Sequence, residues 1–198
     1  MNLIVKLILL VAILTNFSSC LKKGEDDPLI SFRTRKARVV GDWAVKSGLL
    51  VFSNISGNSS DIENVTITGN SYSYVGTSTY NNTSNINSFS GSFSYKFKFD
   101  KDGSFKLTQS IDGDLSTTTG QWNFTSGIGK LKNKEQLILN FSTVVNSSIF
   151  KTSYTGNKIF MTFNVRELRN KKMVIYSEDT SVGSGTTNTT KEEYTLEQ

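Results

Sequence analysis

From Gly41 onward, apolar and polar residues alternate with a period of two, in short runs separated by clusters of Gly, Asn, Asp, Ser and Thr. Successive side chains of an extended strand point to opposite faces, so this period makes strands with one buried and one wet face. The clearest instance is SYKFKFDKDGSFKLTQS. Tyr95, Phe97 and Phe99 fall on one face, and Lys96 and Lys98 on the other. Asp100 to Gly103 turns the chain, with Gly103 suited to a left-handed conformation, and Phe105 and Leu107 return on the apolar face.

The same alternation recurs elsewhere. Trp43 and Val45 share a face in DWAV, and LLVF follows at residues 49–52. NVTIT and YSYVGTSTY come next, then TTTGQWNF, where Trp122 and Phe124 flank Asn123. QLILNFS aligns Leu137, Leu139 and Phe141, and KIFMTFNV aligns Ile159, Met161, Phe163 and Val165. KMVIYS and EYTLEQ supply the last strands. Residues 54–60, 81–88 and 181–190 are polar and read as turns or loops. The pattern predicts eight to ten short strands and no long helix, hence an all-β antiparallel barrel or sandwich. Aromatic content of 11% with abundant Ser, Thr, Asn and Gly fits strands joined by polar loops.

Ahead of the strands, LISFRTRKARVV breaks the alternation and allows one or two helical turns. Arg33, Arg35, Lys36 and Arg38 crowd there, either as a solvated helix face or as contacts for lipid phosphates. Further upstream, LIVKLILLVAIL is too short to span a bilayer, which takes about 20 apolar residues. It reads as the apolar core of a secretory signal, with Ser18 and Ser19 as small residues before a cut point. Cys20 is the only cysteine, so it has no disulfide partner within the chain. Its setting resembles a bacterial lipoprotein signal, in which the cysteine becomes the lipid-bearing N-terminus. The expected organisation is a signal peptide at 1–19, a lipidated N-terminus and tether at 20–34, and a barrel domain at 35–198. Lys22, Lys23, Glu25, Asp26 and Asp27 are either a solvated linker or similar to the surface-export signal of some Bacteroidota lipoproteins.

The order of pieces carries a wider resemblance. A short helix-like lead precedes GDW at 41–43. FDKDGSF follows in mid-chain, then GQW at 120–122, and FNVRELRNKKMVI leads to YTL near the end. This resembles the lipocalin-like lipoproteins of Bacteroidota over residues 35–198. The resemblance implies an up-and-down calycin-type barrel of about eight antiparallel strands. It implies that Trp43, in the G-x-W, plugs the closed end, with Arg166 or Arg169 matching a late arginine packed on it. It also implies attachment to a bacterial outer membrane through lipid on Cys20, with the periplasmic or surface side left open.

Chemistry is mostly excluded by what is missing. The chain has no histidine, and its cysteine is assigned to lipid, so the usual nucleophilic dyads and Cys/His zinc sites are unavailable. GIGK at 127–130 is followed by Leu131 where a phosphate-binding loop needs Ser or Thr. Asp100 and Asp102 lack the further ligands of a calcium loop, and Asp112 and Asp114 flank a turn glycine. No enzyme activity, metal or cofactor is expected. Loss of Lys6 with the signal leaves a formal charge one below the chain's +5, too mild for a nucleic-acid footprint. Two functions remain. In one, the barrel binds a small apolar or amphiphilic ligand lined by Tyr95, Phe97, Phe99, Phe105, Trp122 and Phe124, with Gly91, Ser92 and Ser94 leaving room. In the other, those aromatics fill the core, and loops or the outer face bind an envelope protein or glycan.

Overall fold

The computed structural model describes residues 34–125, 135–142 and 159–198. The signal-like run, Cys20, Arg33, the tether up to residue 33 and the GIGK segment lie outside the described residues. One short helix, α1 (Arg35–Val39), precedes ten strands. These are β1 (Gly41–Ser56), β2 (Ser59–Thr68), β3 (Ser71–Tyr80), β4 (Thr83–Phe99) and β5 (Ser104–Ile111). β6 (Asp114–Thr125), β7 (Gln136–Phe141), β8 (Ile159–Leu168), β9 (Lys172–Gly183) and β10 (Thr186–Glu197) complete the set. Each strand pairs antiparallel with its neighbour in sequence, and β10 returns to β1 to close a barrel.

The all-β antiparallel barrel expected from the alternation is present with ten strands, inside the eight to ten that the pattern predicts and above the eight or so that the resemblance implies. The reason is local to the first half of the chain. Residues 41–44 of β1 pair directly with residues 96–99 of β4, so eight strands circle the end where the chain enters. Above Ala44 the β2–β3 hairpin is inserted between β1 and β4. Its tip is bonded to both. The Gly69 N–H donates to the Lys46 carbonyl, and the Phe93 N–H donates to the Asn70 carbonyl, each at 2.8 Å.

The polar segments at 54–60, 81–88 and 181–190 are strand and tight turn rather than loop. Two-residue connections explain this. Asn81 and Asn82 both have positive φ, as do Asp112 with Gly113 and Ser184 with Gly185. These are the turns whose twist matches that of a hairpin, so strands run up to them without a break. Ser and Thr dominate there because both faces are wet and no apolar period is needed.

Six adjacent strands, β9, β10, β1, β2, β3 and β4, are therefore taller than the rest. β4 makes its last pair with β5 at Phe93 and Ile111, and residues 83–92 pair with β3. β9 pairs with β8 only up to Tyr176 and continues to Gly183 beside β10. A tall wall thus rises beyond the rim set by the β5–β6 turn. The apolar core fills the opposite, entry end, and α1 caps it.

Candidate functional site

The entry end is built from the G-x-W strand upward. Trp43 is 1% exposed, and its indole N–H donates to the Val39 carbonyl at 2.7 Å. That bond ties the last turn of α1 to the first strand. The helix begins at Thr34, whose hydroxyl accepts from the Ala37 N–H. Arg38 is buried, and its guanidinium donates to the Leu168 carbonyl, which links α1 to the end of β8. Arg35 forms an ion pair with Glu135. Both arginines are thus turned onto the protein and are neither a solvated face nor a phosphate contact. Burial, more than any charge, lowers the pKa of each guanidinium. Arg166 pairs with Glu193 at 2.5 Å and stands 4.8 Å over the Tyr176 ring, while Arg169 pairs with Glu167 at 2.5 Å.

Four of the expected lining aromatics lie in the filled part of the barrel. Phe97, Phe99, Phe105 and Trp122 are all buried. Phe99 is central, with its ring 5.8 Å from Phe97, 6.4 Å from Phe105 and 5.6 Å from Trp122. Aromatic rings at such separations add packing energy beyond the area they bury. The Trp122 indole N–H donates to the Asp100 carbonyl at 3.0 Å, and the Lys36 ammonium sits 5.6 Å over its ring. Phe124 is half-buried opposite Leu137. Tyr95 stands highest of the six, 4.9 Å from Phe97 and 6.0 Å from Tyr194 across the interior.

The small residues expected to leave room do not. A Cβ at Gly91 would fall on the Asp112 carboxylate and the Tyr72 ring. That carboxylate accepts from the Tyr72 hydroxyl at 2.9 Å and from the Ser92 N–H at 2.8 Å. Ser92 and Ser94 alternate to the opposite face from Phe93 and Tyr95. Asp112 is thus a structural ligand of the β3–β4 pair. Asp102 likewise accepts from the Ser104 N–H and hydroxyl in the β4–β5 turn.

Where the core ends, the interior changes character. The core-facing row beside Tyr194 holds Gly48, Ile67 and Tyr72. The next row up holds Ser177, Glu192, Leu50, Val65, Tyr74 and Phe89. Above it come Asp179, Thr190, Phe52, Glu63, Gly76 and Asn87, and then Asn188, Asn54, Asp61 and Ser78. The Asn54 amide donates to the Asn188 side-chain oxygen at 2.7 Å. Tyr74 and Phe89 stack at 4.4 Å.

Glu192 sits at this boundary. Its Oε2 is buried with no hydrogen-bonding partner. Burial in apolar surroundings pushes its pKa up to about 7. Tyr95 and Tyr194 are also driven upward, by burial first and by the Glu192 charge second. Glu192 was not among the sequence candidates. The available signal was its spacing: Glu192, Tyr194 and Leu196 are two apart and share the core face, so the acid occupies a position that alternation reserves for an apolar side chain.

On the outside, near the entry end, a hollow of about 520 Å³ is lined by Asp42, Lys46, Lys96, Lys98, Lys106 and Glu197, among others. The outward residues of β1 to β4 above it are different. Leu49, Val51, Ser53, Ile55, Ser60, Ile62, Asn64, Val75, Thr77, Thr79, Ser84, Ile86 and Ser88 carry no charge. No family model matches the chain, and no curated protein is similar to it. The closed antiparallel barrel is consistent with a calycin-like fold.

Proposed function

We propose that the chain is a non-enzymatic, lipocalin-like binding protein, anchored to a bacterial outer membrane by lipid on Cys20. The barrel takes up a small amphiphilic molecule on the core-facing side of its tall wall. The observation that carries this reading is the abrupt change at the Tyr95–Tyr194 level. Below it the barrel is packed solid with aromatic and aliphatic side chains. Above it Phe52, Tyr74 and Phe89 stand among Ser, Thr, Asn and acidic residues on a face that keeps rising. Apolar surface with a few convergent polar groups is the ordinary make-up of a ligand site. The Trp43 end is filled, so entry is from the opposite end.

The anchor reading is supported by the placement of Lys46, Lys96, Lys98 and Lys106 near the end where the chain enters from the tether. Each basic residue near an anionic leaflet contributes about 1 kcal/mol. Those lysines would face the membrane while the rim points away from it.

The ligand reading is tested by competition. A fluorescent apolar probe should gain emission on mixing with the purified mature domain, and an added amphiphile should displace it. Absence of both the gain and any co-purified small molecule in native mass spectrometry would leave the barrel without this role.

A second reading is favoured by the upper part of the outer face of β1 to β4, above the lysine-lined hollow, which carries no charge and presents Leu49, Ile55, Val75 and Ile86 to solvent. Surfaces of soluble domains are commonly about 25–35% charged. An envelope protein or glycan would dock there, and Ile86→Lys should abolish that docking while leaving probe binding in the interior intact.

A further inference from the structure

In its upper half β4 is an edge strand. It pairs with β5 only from Phe93 to Phe99, and among the described residues 83–92 have β3 on one side and no strand on the other. The backbone at the foot of this stretch shows which groups face the open side. The Phe93 N–H donates to the Asn70 carbonyl, toward β3. The Ser92 N–H donates to the Asp112 carboxylate, and the Ser92 carbonyl accepts from the Asp112 N–H, both away from β3. Backbone groups alternate along an antiparallel strand. The N–H and C=O of Ser84, Ile86, Ser88 and Ser90 therefore face the open edge. Residues 83–90 are all exposed, and no described residue bonds these backbone groups.

Natural edges are ordinarily blocked by lysine, proline, a bulge or a covering element. This one has none of these. The β3–β4 register runs unbroken from Ser71 and Ser92 to Tyr80 and Thr83. From Ser71 to Tyr95 the chain has no charged residue and no proline. The other tall edge, β9 beyond Tyr176, is guarded by charge: Glu178 and Asp179 stand there, and Glu178 pairs with Lys191 at 2.8 Å. A second copy of this chain suits the bare edge. Each copy carries a formal charge of +5, and here neither brings charge to the contact. Pairing β4 of one copy with β9 of the next would instead set Glu178 and Asp179 in the contact and leave an edge free at each end, an open chain rather than a closed pair.

We propose that β4 of one copy pairs antiparallel with β4 of a second, about a two-fold axis through Asn87. This register uses every open group. Ser84 faces Ser90 and Ile86 faces Ser88, in both directions, so each of the four residues donates and accepts. Asn87 meets its own copy as a non-hydrogen-bonded pair, with Cα atoms about 4.5 Å apart. On the outer face Ile86, 73% exposed in the single chain, becomes a diagonal neighbour of the other Ile86. The second β4 continues the line of β5 and runs the same way. Antiparallel pairing points the two entry ends in opposite directions. Copies anchored through Cys20 with their rims outward therefore meet from two facing membranes, not side by side in one. The pairing is independent of both ligand and anchor, whereas this placement rests on the anchor proposed above. Few side chains are buried, so a single pair is weak and many pairs between two surfaces hold together.

Crosslinking of the purified protein tests the register, in a Cys20→Ser background so that the introduced thiol is the only one. Under mild oxidation Asn87→Cys should form a disulfide-linked dimer about tenfold faster than Asn85→Cys. In this register residue 85 lies opposite Phe89, which puts its two copies beyond the roughly 4.4–6.8 Å between Cα atoms that a disulfide spans. Adding Ser88→Pro to Asn87→Cys deletes one open-edge donor without touching the β3–β4 ladder. It should slow crosslinking to the Asn85→Cys rate, with circular dichroism showing the strands intact. Equal rates for the two cysteines would overturn the pairing and leave the edge to a strand from another protein. Undiminished crosslinking in the folded Ser88→Pro variant would overturn it as well. The comparison of the two cysteines decides the matter without the proline variant. Lipidated protein with Cys20 intact, placed in phosphatidylcholine vesicles, should cluster them, and Ser88→Pro should not. Rapid crosslinking without clustering would uphold the pairing and refute its placement between membranes. Protein that fails to associate with the vesicles would refute the anchor alone.

Discussion

The indole N–H of Trp43 donates to the carbonyl of Val39, four residues earlier, at 2.7 Å. One side chain thereby fills the floor of the barrel and fixes the angle at which the preceding helix leaves it. Trp43→Ala should cost about 3–5 kcal/mol, the range for large aromatics removed from cores. Trp43→Phe keeps most of the buried area but leaves the Val39 carbonyl without its donor, so its cost should be nearer 1–3 kcal/mol. Urea unfolding of the purified protein measures both, and a loss under about 1 kcal/mol for alanine would contradict the packing described.

Gly91 is expected to tolerate no side chain. Its neighbours are the Tyr72 ring and the Asp112 carboxylate, which are themselves hydrogen-bonded to each other. Gly91→Ala should therefore destabilise by about 1–3 kcal/mol, as overpacked sites do. Tyr72→Phe should cost about 1 kcal/mol, because Asp112 keeps its bond to the Ser92 N–H. Thermal unfolding of the two variants should rank them in that order.

Glu192 predicts a stability that falls with rising pH. Its folded pKa is about 7, against 4.5 for the free side chain. The folded state then holds the proton more tightly than the unfolded chain between those values. The stabilising contribution is complete below about pH 4.5 and is lost as pH rises through 7, amounting to no more than about 3 kcal/mol. Glu63 and Asp179, in the row above, face the same side, while Tyr95 and Tyr194 titrate far above this window. Glu192→Gln should remove this pH-dependent loss. Denaturant midpoints taken from pH 4.5 to 8 provide the check, and an unchanged slope in the variant would assign the effect to other groups.

The anchor is tested in cells. If Cys20 carries lipid, the protein partitions into the detergent phase, and Cys20→Ala either releases it or halts its processing. Identical migration and fractionation of the mutant would refute lipidation.

The all-β class was legible in the residue order, because a period of two leaves a strand no choice about which side chains share a face. SYKFKFDKDGSFKLTQS could form only a hairpin with Phe97, Phe99, Phe105 and Leu107 on the inside, and the structure pairs Phe97 with Leu107 and Phe99 with Phe105. Trp43 and Trp122 were legible as apolar positions in alternating runs for the same reason. The tertiary structure alone decided how many strands close the barrel. That number depends on Gly69 and Asn70 bonding to Lys46 and Phe93, pairs 23 residues apart in each case, which no local pattern encodes. It also decided that polar segments such as residues 83–90 are strands. Ser and Asn give no amphipathic signal when both faces are wet, and the pairing comes from the β3–β4 backbone ladder. The candidate site was half legible. Tyr95 stood out as an aromatic on the inner face. Glu192 did not, because its importance lies in what surrounds it: the alternation placed an acid on the inner face, but only the packed barrel removed its water and left its Oε2 without a partner.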